Sequence, residues 1–272
     1  MVTPTGPFFT RHMIAKTEAI VLRVSPFSTT SHMVTWLTPD YGRLTTVVKG
    51  AMRPKSAFLG QYDLCYTCEL LFYERERDGV HMARECSPLN TRLPLRRQWR
   101  HYTCAAYICD LALHATLPGR DHTEELYELL GATLDRLCAG RSSPEVLVHW
   151  FELRLLQLLG YAPHVERCLV CRKGLSAERA VFDAAKGGAL CLDCLPHPVP
   201  EHVVPLGPDT QSLLRQWSGG HALSLLRNTV VSGKQLLALQ RLTGTMLTYC
   251  LEMRLECRNV AMATLRCERG EL

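Results

Sequence analysis

Two Cys-x-x-Cys pairs constrain the C-terminal half of the chain more strongly than any other feature of the sequence. The pairs begin at Cys168 and Cys191, and nineteen residues separate them. Each pair can present two thiolates from one tight turn, and two facing turns complete a tetrahedral shell of four sulfurs around Zn²⁺. Because four sulfurs leave no coordination position open for water, the pattern predicts one structural zinc ion per chain. Its ligands would be Cys168, Cys171, Cys191 and Cys194.

Two alternatives to a four-sulfur site remain. His164 and His197 flank the two pairs, and either histidine could replace one sulfur. The pairs could also be redox-active or incidental, although a chain without a secretory cysteine framework uses this spacing mostly for metal.

The composition is that of a globular chain in a reducing compartment. Hydrophobic residues make up 47% of the 272 residues, which is enough for one large or two modest cores. The 13 cysteines are an odd number without a regular framework, so we expect a cytoplasmic protein. No stretch approaches the roughly 20 apolar residues that span a bilayer. Residues 1–12 lack the apolar core of a signal peptide, and we expect them to be a flexible leader or an addition to the natural chain.

The charge is unevenly distributed along the chain. Residues 1–100 contain 14 Lys and Arg against 8 Asp and Glu, whereas residues 101–272 contain 17 against 18. A localised positive field favours binding of a polyanion, and nucleic acid is the first candidate. On charge alone, a solvated surface face explains the excess equally well.

Residues 13–88 have the pattern of a small antiparallel barrel, and we assign them to one domain. Short apolar or alternating runs are separated by turn residues, and no connection is long enough for a parallel crossover. Five such strands fit a five-stranded antiparallel OB-fold in an α+β protein. The predicted strands are 17–24, 32–37, 43–49, 64–72 and 80–86.

A third Cys-x-x-Cys lies inside the fourth predicted strand, at Cys65 and Cys68. Residues i and i+3 of a strand point to opposite faces of the sheet. We therefore expect these two side chains to pack in the barrel and not to share a metal.

The loop after the third predicted strand is strongly cationic. Residues 41–56 include four cations and no anion, and Gly50 and Pro54 restrict the backbone. Such a loop on a barrel rim can place Lys49, Arg53 and Lys55 along a phosphate backbone without reading the bases. The nearby aromatic residues could stack on unpaired bases or cap the barrel core; they are Tyr41, Phe58 and Tyr62.

From residue 89 onward the hydrophobic period becomes helical, and we assign 89–272 to an all-helical domain with a zinc-finger insert at 164–200. Ser143 is predicted to cap the third helix. The predicted helices are 93–117, 123–137, 144–159, 209–217 and 233–257. Four arginines at the start of the first helix extend the basic surface: Arg92, Arg96, Arg97 and Arg100.

The last predicted helix has an apolar face beside cations. Its apolar residues between Leu236 and Cys257 are spaced by three and four, and such a methionine and cysteine stripe usually faces a core. Arg241, Arg254 and Arg258 fall on the predicted polar side. Cations beside apolar surface suit an acidic, hydrophobic peptide.

Several short stretches of the sequence, taken together and in their order along the chain, carry a resemblance to a known family. They are Glu18-Ala19-Ile20-Val21-Leu22-Arg23, Lys49-Gly50-Ala51 with Arg53-Pro54-Lys55-Ser56, Phe151-Glu152-Leu153-Arg154-Leu155-Leu156 with Leu158-Leu159-Gly160-Tyr161-Ala162-Pro163, and the four zinc-spaced cysteines. On these stretches, between residues 13 and 258, the chain resembles the RecO family of bacterial recombination mediators.

The resemblance implies an N-terminal OB-fold that binds DNA and a helical C-terminal domain with a zinc finger, in which zinc is structural and dispensable for the family's activity. It implies a non-catalytic protein that binds single- and double-stranded DNA and anneals complementary strands. It also implies partnership with RecR and with single-stranded DNA-binding protein in loading RecA. The residues expected to bind DNA are Lys49, Arg53, Lys55, Arg92, Arg96, Arg97 and Arg100, and those expected to bind the acidic tail of single-stranded DNA-binding protein are Arg241, Arg254 and Arg258.

Two other functional classes compete with this interpretation. A zinc-dependent nucleic-acid enzyme, such as a deaminase or nuclease, needs an open metal position and a glutamate as acid or base. The nearest carboxylates, Glu166 and Asp193, stand beside pairs that already supply four thiolates. A zinc-ribbon adapter for RNA polymerase or the ribosome would carry its basic residues around the metal, whereas here the excess lies upstream.

Overall fold

The computed structural model describes residues 13–74, 79–116, 123–175, 180–219, 226, 230–252 and 256–266. The predicted leader, residues 1–12, lies outside these ranges. The chain divides into two compact units, one of Met1–Thr91 with Pro118–Thr123 and the other of Arg92–Leu117 with Glu124–Leu272. Within the described ranges, no helix has both the length and the apolar character that crossing a bilayer requires.

The first unit is a closed five-stranded barrel. Its strands are β1 (Ile14–Ser28), β2 (Ser31–Thr38), β3 (Gly42–Val48), β4 (Thr67–Tyr73) and β5 (Val80–Asn90). Around the barrel they follow the order β1-β2-β3-β5-β4, and β4 closes on β1. This arrangement is OB-fold-like. The prediction of an entirely antiparallel barrel was wrong at one place, because β5 pairs with β3 in parallel.

The barrel core follows from the two-residue period of its strands. On β2 and β3, Val34, Trp36 and Leu44 point inward and are almost fully buried. The indole Nε1 of Trp36 donates to Oγ1 of Thr46 at 3.0 Å, so the one polar atom of this ring is paired. The three aromatic residues weighed as base-stacking candidates are half-buried and pack against this core: Tyr41, Phe58 and Tyr62.

In the part of the second unit that the structure describes there are six α-helices and a small sheet. The helices are α1 (Trp99–Ala115), α2 (Thr123–Ala139), α3 (Pro144–Leu158), α4 (Pro208–Gly219), α5 (Gly233–Leu251) and α6 (Glu256–Arg266). The prediction of an all-helical domain was wrong, because three strands pair antiparallel in the order β7-β6-β8. They are β6 (Ala180–Asp183), β7 (Gly188–Cys191) and β8 (Val203–Pro205).

Two of the predicted helices are each divided into two segments, because one residue leaves right-handed helical geometry. The first begins as a 3₁₀ turn, Leu93–Arg97, and Gln98 leaves helical geometry before α1 begins. The last predicted helix ends at Glu252, whose φ of 51° is left-handed, and α6 is a separate helix. Ser143 does precede α3 as predicted, but its side chain makes no capping hydrogen bond.

Candidate metal centre and nucleic-acid interface

The four predicted zinc ligands converge in the second unit. The sulfurs of Cys168, Cys171, Cys191 and Cys194 all lie within 4.8 Å of one another, and they form the one such cluster found among the described residues. Cys168 is buried and the other three are half-buried. The two Cys-x-x-Cys pairs, nineteen residues apart in sequence, therefore meet as the spacing predicted.

The first pair sits on a tight backbone turn. The amide of Arg172 donates to the carbonyl of Cys168 at 2.9 Å, and the amide of Cys168 donates to the carbonyl of Lys173 at 3.0 Å. Arg172 closes the turn with a left-handed φ of 62°. These bonds fix both ends of the turn, so Cys168 and Cys171 face the same side.

The second pair begins where β7 ends. Cys191 is the last residue of that strand, and one 3₁₀ turn, Leu192–Cys194, brings the next sulfur back beside it. The first pair is itself bonded to the same strand, because the amide of Leu169, which lies between Cys168 and Cys171, donates to the carbonyl of Ala189 at 3.0 Å. The small sheet thus positions one pair against the other.

The donor set and its spacing fit zinc. Four sulfurs arranged tetrahedrally at about 2.3 Å from Zn²⁺ lie about 3.8 Å from each other. The sulfurs of Cys171 and Cys191 are 3.7 Å apart. Among the described residues, neither His164 nor His197 belongs to the cluster, so the alternative of a histidine ligand receives no support.

The thiols of the cluster do not ionise equally. Burial raises the pKa of Cys168, but hydrogen bonds from the backbone of Cys171 and Cys191 outweigh it and bring the pKa to about 6. The pKa of Cys194 is raised to about 12, chiefly by its hydrogen bond with Cys191. A negative charge on Cys168 also raises the pKa of Cys194, because like charges repel.

The cationic loop is an ordered series of turns. Successive amide-to-carbonyl hydrogen bonds join Arg53 to Gly50 at 3.1 Å and Ser56 to Arg53 at 3.0 Å. Gly50 has a left-handed φ of 67°, and the side chain of Arg53 lies across it. Lys49, Arg53 and Lys55 are all exposed. The loop therefore presents its three cations to solvent on a fixed backbone.

The loop is also bonded to the hairpin that joins β1 and β2. The amide of Met52 donates to the carbonyl of Thr30 at 3.1 Å, and the amide of Gly50 donates to Oγ of Ser31 at 3.3 Å. On the same hairpin, Phe27 is the extra residue of a β-bulge and is 55% exposed. Sequence analysis did not single it out, because a bulge is not visible in the apolar pattern.

The third Cys-x-x-Cys packs as predicted, but not for the reason given. Cys68 lies on β4, whereas Cys65 precedes the strand with a left-handed φ of 68°. Both are buried, and the thiols of Cys68 and Cys86 lie 3.5 and 3.7 Å from the carbonyl of Gln61. Within the described part of the chain these cysteines join no metal-binding group.

The four arginines after the barrel separate into two classes. Arg96 and Arg97 are exposed on the 3₁₀ turn. Arg92 is only 5% exposed, and its Nε donates to Oδ1 of Asp135 at 2.7 Å. The prediction that Arg92 contributes to a solvent-facing basic surface was therefore wrong. Arg100 is half-buried, and its Nη2 donates to the carbonyl of Leu265 at 2.8 Å, joining α1 to α6.

The three predicted peptide-binding arginines are also not equivalent. Arg241 is exposed on α5 and lines an open cleft of about 980 Å³. Arg254 lies outside the described residues. Arg258 belongs to α6 and is only 9% exposed, so its placement on the polar side of the preceding helix was wrong.

Arg258 is part of a buried network centred on Glu152. The carboxylate of Glu152 is fully buried and accepts hydrogen bonds from Arg258 Nε at 2.7 Å, Tyr107 Oη at 2.6 Å, Thr243 Oγ1 at 2.6 Å and His149 Nδ1 at 2.9 Å. Burial alone would raise the pKa of Glu152, but Arg258 and His149 lower it far below its ordinary value. Sequence analysis missed this pair; the one available signal was a glutamate among the consecutive apolar residues of α3.

Comparisons with known proteins match the two units to the N-terminal and C-terminal parts of one protein family. A family model described as recombination protein O N terminal matches residues 13–92, and one described as recombination protein O C terminal matches residues 96–258. The relatives include proteins named DNA repair protein RecO from three bacteria. The protein of Anaeromyxobacter dehalogenans is 34% identical over 212 residues, covering 76% of this chain and 81% of the relative.

The protein of Syntrophus aciditrophicus is 33% identical over 199 residues, covering 72% of this chain and 75% of the relative. The protein of Moorella thermoacetica is 30% identical over 244 residues, covering 89% of this chain and 88% of the relative. The two family models together extend through the barrel, the four-cysteine cluster and the buried network. The chain therefore belongs to the RecO family of DNA repair proteins.

Proposed function

We propose that this chain is a non-catalytic recombination mediator that binds single- and double-stranded DNA, anneals complementary strands and, with RecR and single-stranded DNA-binding protein, helps to load RecA. Membership of the RecO family supports a role in recombinational repair. The observation that carries the DNA-binding part is the exposed, anion-free loop held on an OB-fold-like barrel, at Lys49, Arg53 and Lys55.

The loop suits phosphates better than bases. Its three exposed cations are on a backbone fixed by turn hydrogen bonds, so little conformational entropy is lost when the side chains meet a strand. Lysine and arginine contacts to phosphate carry no sequence information. We infer that binding is nearly independent of base sequence and that Arg96 and Arg97, exposed in the second unit, also bind phosphate.

The salt dependence of DNA binding tests this proposal. In a Lys49→Ala, Lys55→Ala variant, the slope of log affinity against log salt for single-stranded DNA should become shallower by about 0.7 for each phosphate that the loop no longer neutralises. Annealing should slow in parallel. Arg53 is left in place because its side chain covers Gly50, and its removal could disturb the loop itself.

The matched control removes two cations of the same barrel that already pair with carboxylates. Nζ of Lys16 lies 2.8 Å from Glu69, and Nε of Arg84 lies 3.1 Å from Glu85. The Lys16→Ala, Arg84→Ala variant should keep the wild-type slope. If the two variants changed the slope equally, only net charge would matter, and the loop would not be the DNA site.

We further propose that the metal is one zinc ion per chain, bound by Cys168, Cys171, Cys191 and Cys194. Support comes from the convergence of the four sulfurs and from their spacing. With four sulfur ligands, the ion would stabilise the second unit and would have no open position for substrate or water. This donor set therefore favours a structural role over the zinc-dependent enzyme considered from the sequence.

The acidic tail of single-stranded DNA-binding protein is proposed to dock on α5. Arg241 is exposed on this helix, and Leu237 and Tyr249, on the same broad side, are 41% and 49% exposed. A cation between apolar side chains matches a peptide that is both acidic and hydrophobic. Arg258 is excluded from this surface by its burial, and Glu201 and Glu252 mark the acidic side of the adjoining cleft.

A labelled tail peptide titrated against the full chain tests the docking surface. The Arg241→Glu variant should weaken binding at least ten-fold at low salt, because it replaces attraction by repulsion. Arg141→Glu, at an exposed arginine beyond the end of α2, makes the same charge change away from α5 and should bind as wild type. Equal binding by the wild type and Arg241→Glu would place the peptide elsewhere.

A further inference from the structure

We propose that Phe27 stacks on an unpaired base, so that the tip of the β1–β2 hairpin distinguishes single-stranded DNA from duplex. This inference rests on the proposed DNA-binding function and names an interaction that the phosphate-binding loop cannot make. The ligand is a nucleobase of a single strand, whose face is free, whereas in a duplex both faces are covered by neighbouring base pairs.

The first observation is the bulge. In the β1–β2 ladder Pro26 pairs with His32 and Ser28 with Ser31, which leaves Phe27 as an extra residue on β1. A bulge places two residues of one strand opposite one of its partner and redirects a side chain away from the regular alternation. Here the redirected side chain is a phenyl ring that is 55% exposed.

The second observation is that Phe27 is more exposed than any other described aromatic side chain of the barrel. A phenyl ring normally contributes its large apolar area to a core. Among the described residues of the barrel, the other aromatic side chains are buried or half-buried, and Tyr41 packs edge-to-face on Phe72 with ring centroids 5.3 Å apart. The remaining ones are Trp36, Phe58, Tyr62, Tyr66 and Tyr73.

The third observation connects the ring to the cations. Thr30, three residues beyond Phe27, accepts the amide of Met52 at 3.1 Å, and Ser31 accepts that of Gly50 at 3.3 Å. These bonds hold the loop of Lys49 and Lys55 against the hairpin turn. The hairpin that carries the exposed ring is therefore bonded to the loop that carries the exposed cations. Aromatic side chains and cations together bind single strands, with bases on the ring and phosphates on the cations.

The position also argues against the alternative of a protein partner. The neighbouring loop carries cations and no anion between residues 41 and 56, so the region attracts a polyanion. Of the polyanions, only an unpaired strand offers an apolar face next to each phosphate. An exposed ring beside phosphate-binding cations is thus complementary to single-stranded DNA on both counts.

The test uses the full chain and three variants. Phe27→Ala should weaken binding to a labelled single-stranded oligothymidylate by about ten-fold, the effect of removing one base stack, with the salt slope unchanged. Its affinity for a duplex of equal length should stay at the wild-type level. Phe27→Trp should bind the single strand as tightly as wild type, and the added indole fluorescence should be quenched on binding. Leu89→Ala removes another exposed apolar side chain of the barrel and should change nothing.

Each other outcome has a definite meaning. If Phe27→Ala bound the single strand as tightly as the wild type, the proposed stacking of a base on Phe27 would be wrong. Equal weakening on single strand and duplex would show that the ring only supports the loop, and would also overturn the inference. The Lys49→Ala, Lys55→Ala variant separates this failure from that of the proposed function: if its salt slope falls while Phe27→Ala binds normally, the loop binds DNA and only the stacking interaction is wrong.

Discussion

Gly244 of α5 lies directly against the guanidinium of Arg258 on α6. A methyl group added at Gly244 would stand 2.7 Å from Nη1 and 3.2 Å from Cζ of that arginine. The arginine has little freedom to move, because Nη2 donates to the carbonyl of Gln240 at 3.0 Å and to Oγ1 of Thr243 at 3.0 Å. The absence of a side chain at Gly244 is therefore what lets the buried charge of α6 approach α5.

We predict that Gly244→Ala destabilises the chain, against the usual trend for helices. In a helix interior, replacing glycine by alanine normally gains about 1 kcal/mol. Here the methyl group overpacks a fixed guanidinium, and such contacts cost about 1–3 kcal/mol. Urea unfolding of both proteins measures the difference. In an Arg258→Met background the cost should shrink, and an unchanged cost there would contradict the assigned contact.

Removing one partner of the buried ion pair should destabilise the chain strongly. Glu152→Gln leaves the guanidinium of Arg258 buried without its counter-charge, and Arg258→Met leaves the carboxylate in the same position. Breaking a buried pair from one side typically costs about 3–5 kcal/mol. The double variant Glu152→Gln, Arg258→Met should recover part of the stability, because neither charge remains. Additive effects in thermal unfolding would argue against direct coupling.

The same carboxylate should make stability depend on acid pH. In the folded chain the pKa of Glu152 lies far below its ordinary value of 4.5, because the attraction of Arg258 outweighs the effect of burial. The unfolded chain therefore binds this proton first, and the stabilisation is complete above about pH 5 and is lost as the pH falls below 4.5. Denaturation between pH 5 and pH 3 measures the slope. Glu152→Gln should show a shallower slope, and an identical slope would assign the acid sensitivity to other groups.

Removal of one sulfur should lower metal content and stability together. Cys171→Ser removes a ligand and should release zinc, measured by elemental analysis, and reduce the melting temperature, because metal binding is coupled to folding of the site. Cys138→Ser is the matched control, since Cys138 is half-buried on α2 and outside the cluster. Full zinc occupancy in a Cys171→Ser, Cys194→Ser double variant would rule out the four-sulfur site.

The metal cluster and the barrel strands could be predicted because their signals are local. Cysteine spacing determines which turns can share a metal, and alternation over five to eight residues identifies a half-buried strand. The parallel pairing of β3 with β5 could not be predicted in this way. It depends on how the barrel closes, which no single segment encodes.

The helix interruptions and the buried charges were missed for a different reason. Apolar spacing continues from Cys250 to Cys257, while the left-handed residue Glu252 is not a glycine, so nothing in the pattern marks the end of α5. Arg92 and Arg258 were assigned to solvent because arginine is rarely buried unless it is paired. Their partners, Asp135 and Glu152, are 43 and 106 residues away in sequence, beyond the reach of any periodicity.

The strand order of the barrel has a consequence for synthesis of the chain. β5 is inserted between β3 and β4, so both of those strands keep an unpaired edge until Val80–Asn90 has left the ribosome. A nascent chain that stalls after β4 would present two open edges, which are templates for intermolecular pairing and aggregation. Stop codons placed just before and just after β5 should therefore separate insoluble from soluble fragments of the N-terminal unit.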